Sequence, residues 1–346
     1  MLAELCLALM LLGLTAYVVL GGADFGAGFW DLTAGGAERG ARLRGLVKRS
    51  MGPVWEANHV WLIVVLVVMW TCFPHAFGPL METLYVPLFL AAVGIVFRGA
   101  GYALRGEAAS LAEARALGVV FAVASVLTPF FLGCVIGAVA SGQVPAEGDP
   151  GVPIESWTGA TALWIGALAV VTSGYNAAVF LAADAVRAEA PDLTAAFRRR
   201  ALGSAAVAGA MAIGGLFVIR SDAPDLYDGL TSGGGLAMVL VSAAVGLLTL
   251  WLVWAGRFEI ARYTSAVAVG TILAGLAFAL RPDFLPGQVS LQEAAADEAT
   301  LLATLIALVL ALLVIVPAMF FLLRLALQGR LSEPLHPIVP DDGGDR

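Results

Sequence analysis

The sequence predicts an all-α polytopic integral membrane protein, and three observations carry that expectation: its hydropathy, the spacing of its apolar runs and the placing of its cations. Of 346 residues, 60% are hydrophobic and 13% charged, with 40 Gly and a mean hydropathy of +0.91, against about 25% charged in an ordinary soluble domain. One soluble core cannot hide that much apolar surface. The net charge is −7, from 19 Lys+Arg against 26 Asp+Glu, which argues against a nucleic-acid partner. Cys6, Cys72 and Cys134 stand far apart in apolar runs; they read as packing residues, with no spacing for a disulfide framework or a zinc site.

A bilayer core about 30 Å thick takes roughly 20 apolar residues per helix. Breaks in the apolar pattern separate nine spans: 3–23, 54–73, 79–97, 117–140, 158–182, 201–219, 235–255, 263–280 and 300–326. Span one lacks a positively charged start and a small-residue cleavage site, so it reads as a retained helix, not a signal peptide. The third and eighth spans are short and closely joined to a neighbour. All nine belong to one transmembrane domain over 1–331. The tail 332–346 (SEPLHPIVPDDGGDR) is rich in Pro, Gly and Asp and is expected to be a disordered cytoplasmic segment.

Orientation follows from the cations. Arg39, Arg42, Arg44, Lys48 and Arg49 follow span one; Arg98, Arg105 and Arg115 follow span three; Arg187, Arg198, Arg199 and Arg200 follow span five; Arg257 and Arg262 follow span seven; Arg324, Arg330 and Arg346 end the chain. These alternate segments hold all the basic residues except Arg220 and Arg281. The other side carries acids, among them Glu147, Asp149, Asp222, Asp225, Asp283 and Asp297. The positive-inside rule then places the N-terminus outside and the C-terminus in the cytoplasm, with an odd number of spans.

A charge near the bilayer centre costs about 2.5–3.5 kcal/mol on insertion scales, so each ionisable group inside a span needs an account. Asp24 closes span one within GGADFGAGFWD, where Gly22 and Gly26 form a GxxxG pair that lets another helix approach. It is either a satisfied helix-end acid or a functional one. In GPVWEANHVWLI, 52–63, Pro53 suits a first helical turn. Glu56 and His59 are three apart and Trp55 and His59 four apart, which a helix brings onto one face. A carboxylate beside an imidazole at a desolvated helix end suits proton transfer; a hydrogen-bonded cluster that glues helices is the structural alternative, and two ligands do not make a metal site. Arg98, in FRGAGYALRG, is either a snorkelling interfacial cation or the counter-charge of Asp24 and Glu56. With only His59, His75 and His336 in the chain, no intramembrane pair is available to sandwich a haem.

Taken together, GGADFGAGFWDL at 21–32, GPVWEANHVWLI at 52–63, FRGAGYALRG at 97–106 and LPGQVSLQEAAADEATL at 285–301 resemble subunit II of cytochrome bd-type quinol oxidases, in order and almost end to end. The resemblance implies two four-helix bundles, 1–140 and 158–280, plus a peripheral helix at 300–326, in a bacterial cytoplasmic membrane. It implies a heterodimer that oxidises quinol and reduces dioxygen to water, with b- and d-type haems held by the partner subunit I. Lipid, quinol or quinone, and a small accessory membrane peptide are further expected partners. Asp24, Glu56, His59 and Arg98 become candidates for a proton path from the cytoplasm and its counter-charge. Trp55 and Asn58 align with the family's motif, as contacts to a quinone or lipid or as structural residues; no metal is expected on this chain. The family often carries acids where this chain has Gly21 and Ala103, and Gln or Glu where it has His59, which marks a divergent member. Two readings compete with the proton path: a purely structural oxidase subunit, and a proton-coupled secondary transporter, whose mark would be discontinuous helices near the midplane.

Overall fold

The computed structural model describes residues 1–51, 55–146 and 151–328. Among them are nine helices long and apolar enough to cross a membrane. In chain order the helices of eight residues or more are α1 (Leu2–Leu32), α2 (Ala37–Met51), α3 (Trp55–Cys72), α4 (Pro74–Thr83), α5 (Tyr85–Leu104), α6 (Leu111–Ala140), α7 (Ala160–Arg187), α8 (Pro191–Asp222), α9 (Pro224–Thr231), α10 (Gly233–Trp254), α11 (Phe258–Ala279) and α12 (Glu298–Leu327). Of these, α2, α4 and α9 are the short helices that do not span. Pro53, Glu147, Asp149, Arg330, Arg346, His336 and the tail 332–346 lie outside the described residues.

Three boundaries differ from the sequence reading, each for a physical reason. First, α1 runs on to Leu32, because the glycines after Leu20 are tolerated where neighbouring helices supply the packing; Asp24 is therefore inside a span. Second, the region around 79–97 divides: Phe73, followed by Pro74 at the first helical position, opens α4, and a second break at Leu84 starts α5. Arg98 consequently sits within α5 instead of following it. Third, the cationic segment after span one is itself a helix, α2, which buries Leu43, Leu46, Val47 and Met51 and exposes Arg42, Lys48 and Arg49.

Close approach of backbones holds the bundle together. A Cβ on Gly26 would lie 1.9 Å from the Ser173 carbonyl oxygen, so α1 and α7 touch there through backbone. Likewise a Cβ on Gly133 would stand 2.8 Å from the Gly166 Cα, where α6 meets α7. Such contacts replace the hydrophobic drive that is absent between helices in lipid. One core cluster joins α2, α7, α8, α10 and α11 around Leu181, Phe197 and Val253. A second joins α1, α3, α4 and the start of α12 around Cys6, Val68, Cys72, Phe73 and Leu301. The three cysteines are buried and unbridged.

The two ends differ in chemistry. At one end stand the ion pairs Arg42–Asp192, Arg44–Asp31, Arg105–Asp31, Arg187–Glu259 and Arg262–Asp184, so the alternate cationic segments meet on one face. At the other end a two-stranded antiparallel hairpin, β1 (Asp283–Leu285) and β2 (Val289–Ser290), pairs Asp283 with Ser290 and turns at Gly287, whose φ is +67°. Phe284 stacks on Phe73 at 4.7 Å, and Ala296 N–H donates to the Cys72 carbonyl at 2.9 Å. The hairpin thus caps that end of the bundle.

Candidate functional site

The site forms where α1, α3, α5 and α6 meet. Residues Tyr17–Gly21 make a wide π-helical turn in α1, a departure often found at functional positions. The wide turn loosens the local carbonyl ladder, and the Asn58 Nδ2 amide donates to the Leu20 carbonyl at 3.4 Å. The same amide donates to Asp24 Oδ2 in a short hydrogen bond. Asp24 is 6% exposed and Asn58 7%, so an ionisable acid is held inside the span by one neutral donor.

Arg98 is 1% exposed, which rules out snorkelling. Its guanidinium carbon lies 4.9 Å from the Phe25 ring centre, 5.5 Å from Phe121 and 5.9 Å from Trp55. Rings at that range compensate a desolvated cation through their quadrupoles, by about 0.5–2 kcal/mol each. Asp24 and Arg98 feel one another's charge, while Arg98 Nε and Nη2 have no hydrogen-bond partner. The two make no ion pair among the described residues, and their coupling acts through space.

His59 is half-buried in an aromatic box. Its ring centre is 5.9 Å from Tyr17, 6.3 Å from Phe25 and 6.4 Å from Trp55, and its Nδ1 and the Tyr17 hydroxyl are buried without a partner. Trp55 also packs on Gly99 and Tyr102, so Trp55 and Asn58 build the pocket wall. Asn58 donates its amide to both Asp24 and Leu20, which ties α3 to α1 at this level.

Glu56 is not part of the cluster. At 100° per residue it stands about 160° around α3 from Asn58; it is exposed, and it makes no hydrogen bond or ion pair among the described residues. Of the two acids, Asp24 and not Glu56 lies within the electrostatic reach of Arg98. Sequence reasoning missed Asp31, which lies seven residues beyond Asp24 on the same helix face. It is 5% exposed, and both its oxygens are taken, by Arg44 Nε at 2.8 Å and Arg105 Nη1 at 2.6 Å. Two complete turns from Asp24 and a cationic segment after it were the available signal.

Among the described residues no group of three or more His, Cys, Asp or Glu is placed to hold a metal. His59 lies thirteen residues, roughly 20 Å at helical rise, before the end of α3 at Cys72, and His75 lies beyond that end on α4, which does not fit two axial ligands of one haem.

The family model described as cytochrome bd terminal oxidase subunit II matches residues 2–326. The chain belongs to that family. Subunit II is similar, at 22% identity over 333 residues, to the putative cytochrome bd menaquinol oxidase subunit II of Bacillus subtilis (strain 168), covering 91% of this chain and 92% of that one. With the cytochrome bd ubiquinol oxidase subunit 2 of the same organism it shares 26% identity over 133 residues, an alignment that spans 38% of each. Its fold matches a chain of the bd oxidase from Geobacillus thermodenitrificans with a TM-score of 0.73 at 23% identity, covering 94% of this chain and 98% of that one. Subunit II is thus a multi-pass membrane component of a terminal oxidase, an oxidoreductase that pairs it with a subunit I.

Proposed function

We propose that this subunit II serves a quinol oxidase that reduces dioxygen to water, and that it carries protons from the cytoplasm toward haems b and d held by subunit I. The observation that carries the reading is Asp24: an acid 6% exposed inside a span, bonded to Asn58 and in the field of Arg98. A buried acid with one neutral donor and a cation coupled to it through space can exchange a proton, whereas an acid locked to a cation in direct contact cannot. Tyr17 and His59, with unpartnered polar atoms beside it, supply the next groups along a relay. Glu56, exposed near the start of α3, is the acid that hands protons to the pocket.

The sidedness in this proposal is N-terminus outside and C-terminus in the cytoplasm, in a bacterial cytoplasmic membrane, because the cationic segments share one end. The two-bundle division belongs to the same proposal: α1, α3, α5 and α6 form the first bundle, α7, α8, α10 and α11 the second, and α12 stands at the periphery. A quinone or lipid completes the assembly in the membrane, as does a small accessory peptide.

A purely structural subunit is the second reading, favoured by Gly21 and Ala103, which bear no acid, and by the distance of Glu56 from the pocket. Oxygen reduction counted per haem separates the two. Asp24→Asn is expected to lower turnover at least tenfold with haem content preserved, while Asp24→Glu retains most of it. Unchanged turnover per haem in Asp24→Asn makes the cluster structural.

A further inference from the structure

At the end of the bundle that carries the cationic segments, a partly open cleft lies between α1, α2, α5 and α6. Three of its lining residues are cations, Arg44, Lys48 and Arg105, against one acid, Asp31, so it holds a net charge of +2. Asp31 acts as a clasp: it fixes both guanidinium groups, and Arg44 is tied further to the carbonyls of Gly35 at 2.5 Å and Gly36 at 3.2 Å. The clasp leaves donors over. Lys48, exposed at the rim, makes no ion pair among the described residues, so its ammonium is open to a ligand; Arg105 Nε, without a partner, is buried beside Gly118 of α6. The rest of its lining is formed by Val47, Phe121 and Tyr102.

We infer that this cleft binds the headgroup phosphate of an anionic phospholipid from the adjoining leaflet. A preorganised pair of guanidinium groups with a mobile ammonium is the donor set that a phosphate monoester or diester selects. Basic pockets between membrane helices at the interface are where such headgroups lodge. The level is right: Asp31 is the last residue but one of α1, and Arg105 directly follows α5. A free phosphate shares the chemistry, but the apolar part of the lining favours a ligand that brings glycerol and acyl carbon with its phosphate. The inference is independent of the proton path, since its readout is bound lipid and not turnover.

The test uses the intact complex with subunit I, freed of lipid in neutral detergent and offered phosphatidylglycerol or phosphatidylcholine in mixed micelles, with bound lipid counted by mass spectrometry. Wild type is expected to retain phosphatidylglycerol over phosphatidylcholine. Loss of one interfacial cation weakens headgroup binding by about fivefold, so Lys48→Gln should reduce phosphatidylglycerol retention by that factor and Lys48→Glu by more, with phosphatidylcholine unaffected. Lys48 is exposed and holds no partner, so these variants keep the fold. Equal retention of the two lipids, or unchanged retention in Lys48→Glu, overturns the inference. So does inorganic phosphate displacing phosphatidylglycerol at equal concentration, which would make the cleft a site for a soluble anion.

Discussion

Arg98 and Asp24 can be tested as a single energetic unit by substituting each alone and both together. Arg98→Met leaves a carboxylate that is 6% exposed without its cation; Asp24→Asn leaves a guanidinium that is 1% exposed without its anion. Abandoning one member of a buried pair costs about 3–5 kcal/mol. Methionine still fills the space between Phe25, Trp55 and Phe121, so lost packing is a minor part of that figure. Removing both charges together is close to neutral when the replacement packs, because neither ion then remains to be desolvated. At about 2 °C per kcal/mol for a chain of this size, each single variant should lose roughly 6–10 °C of thermal stability, and Asp24→Asn/Arg98→Met should recover to within about 2 °C of wild type. Heating the purified complex and following haem absorbance of the size-exclusion peak reads this directly. If the double variant falls by the sum of the two single losses, the residues do not compensate one another and the electrostatic account of the pocket is wrong.

Other outcomes follow from the same geometry. Gly26→Ala forces a Cβ to 1.9 Å from the Ser173 carbonyl oxygen, whereas Gly22→Ala meets only the Ser173 hydroxyl at 3.4 Å. Overpacking of that kind costs about 1–3 kcal/mol, so Gly26→Ala should lower the melting temperature of the complex while Gly22→Ala leaves it unchanged. At the capped end, hydrogen bonds from the Ser290 side chain and backbone hold Glu293 below the usual carboxylate range, and bonds from the Thr300 backbone and side chain do the same for Asp297. A depressed carboxylate contributes stability above its unfolded value and loses it as pH falls through the folded one. Protection of the 290–300 amides, taken relative to their intrinsic exchange rates, should therefore be high at neutral pH and fall below about pH 4, and Ser290→Ala should lower the neutral-pH protection and flatten that fall.

The spans were legible because a membrane imposes the same demand at every crossing: an apolar run of sufficient length with cations on alternate sides. Errors fell where backbone chemistry and not hydropathy decides. Pro74 and the break at Leu84 divide a continuous apolar stretch, so Arg98 was placed past a helix end that the structure puts at Leu104. Glycines 21, 22, 26 and 28 resemble a terminus, yet they are where α1 meets its neighbours, which carries Asp24 inside. The π-helical turn at Tyr17–Gly21 leaves no trace in hydropathy, because its residues are as apolar as those around them.

The candidate site shows the same division at the level of single side chains. Helical spacing did bring Trp55, Asn58 and His59 to one side of α3, since they span about 100° of arc. Glu56 lies about 60° beyond the His59 edge of that arc, and which side of α3 is buried depends on where α1 and α5 pack. Asp31 is the converse case. Taken alone it is an acid at a helix end, which water would satisfy; its partners Arg44 and Arg105 come from two other helices, 13 and 74 residues away. Only the packing of α1 against α2 and α5 distinguishes an acid that water solvates from one that positions two arginines. The acid nearest the membrane interior, Asp24, has one neutral donor and a cation coupled to it through space, while the acid at the interface has two cations in contact. On the proposed proton path, exchange belongs to the first and anchoring to the second, and Asp31→Asn should loosen the cleft without altering turnover per haem.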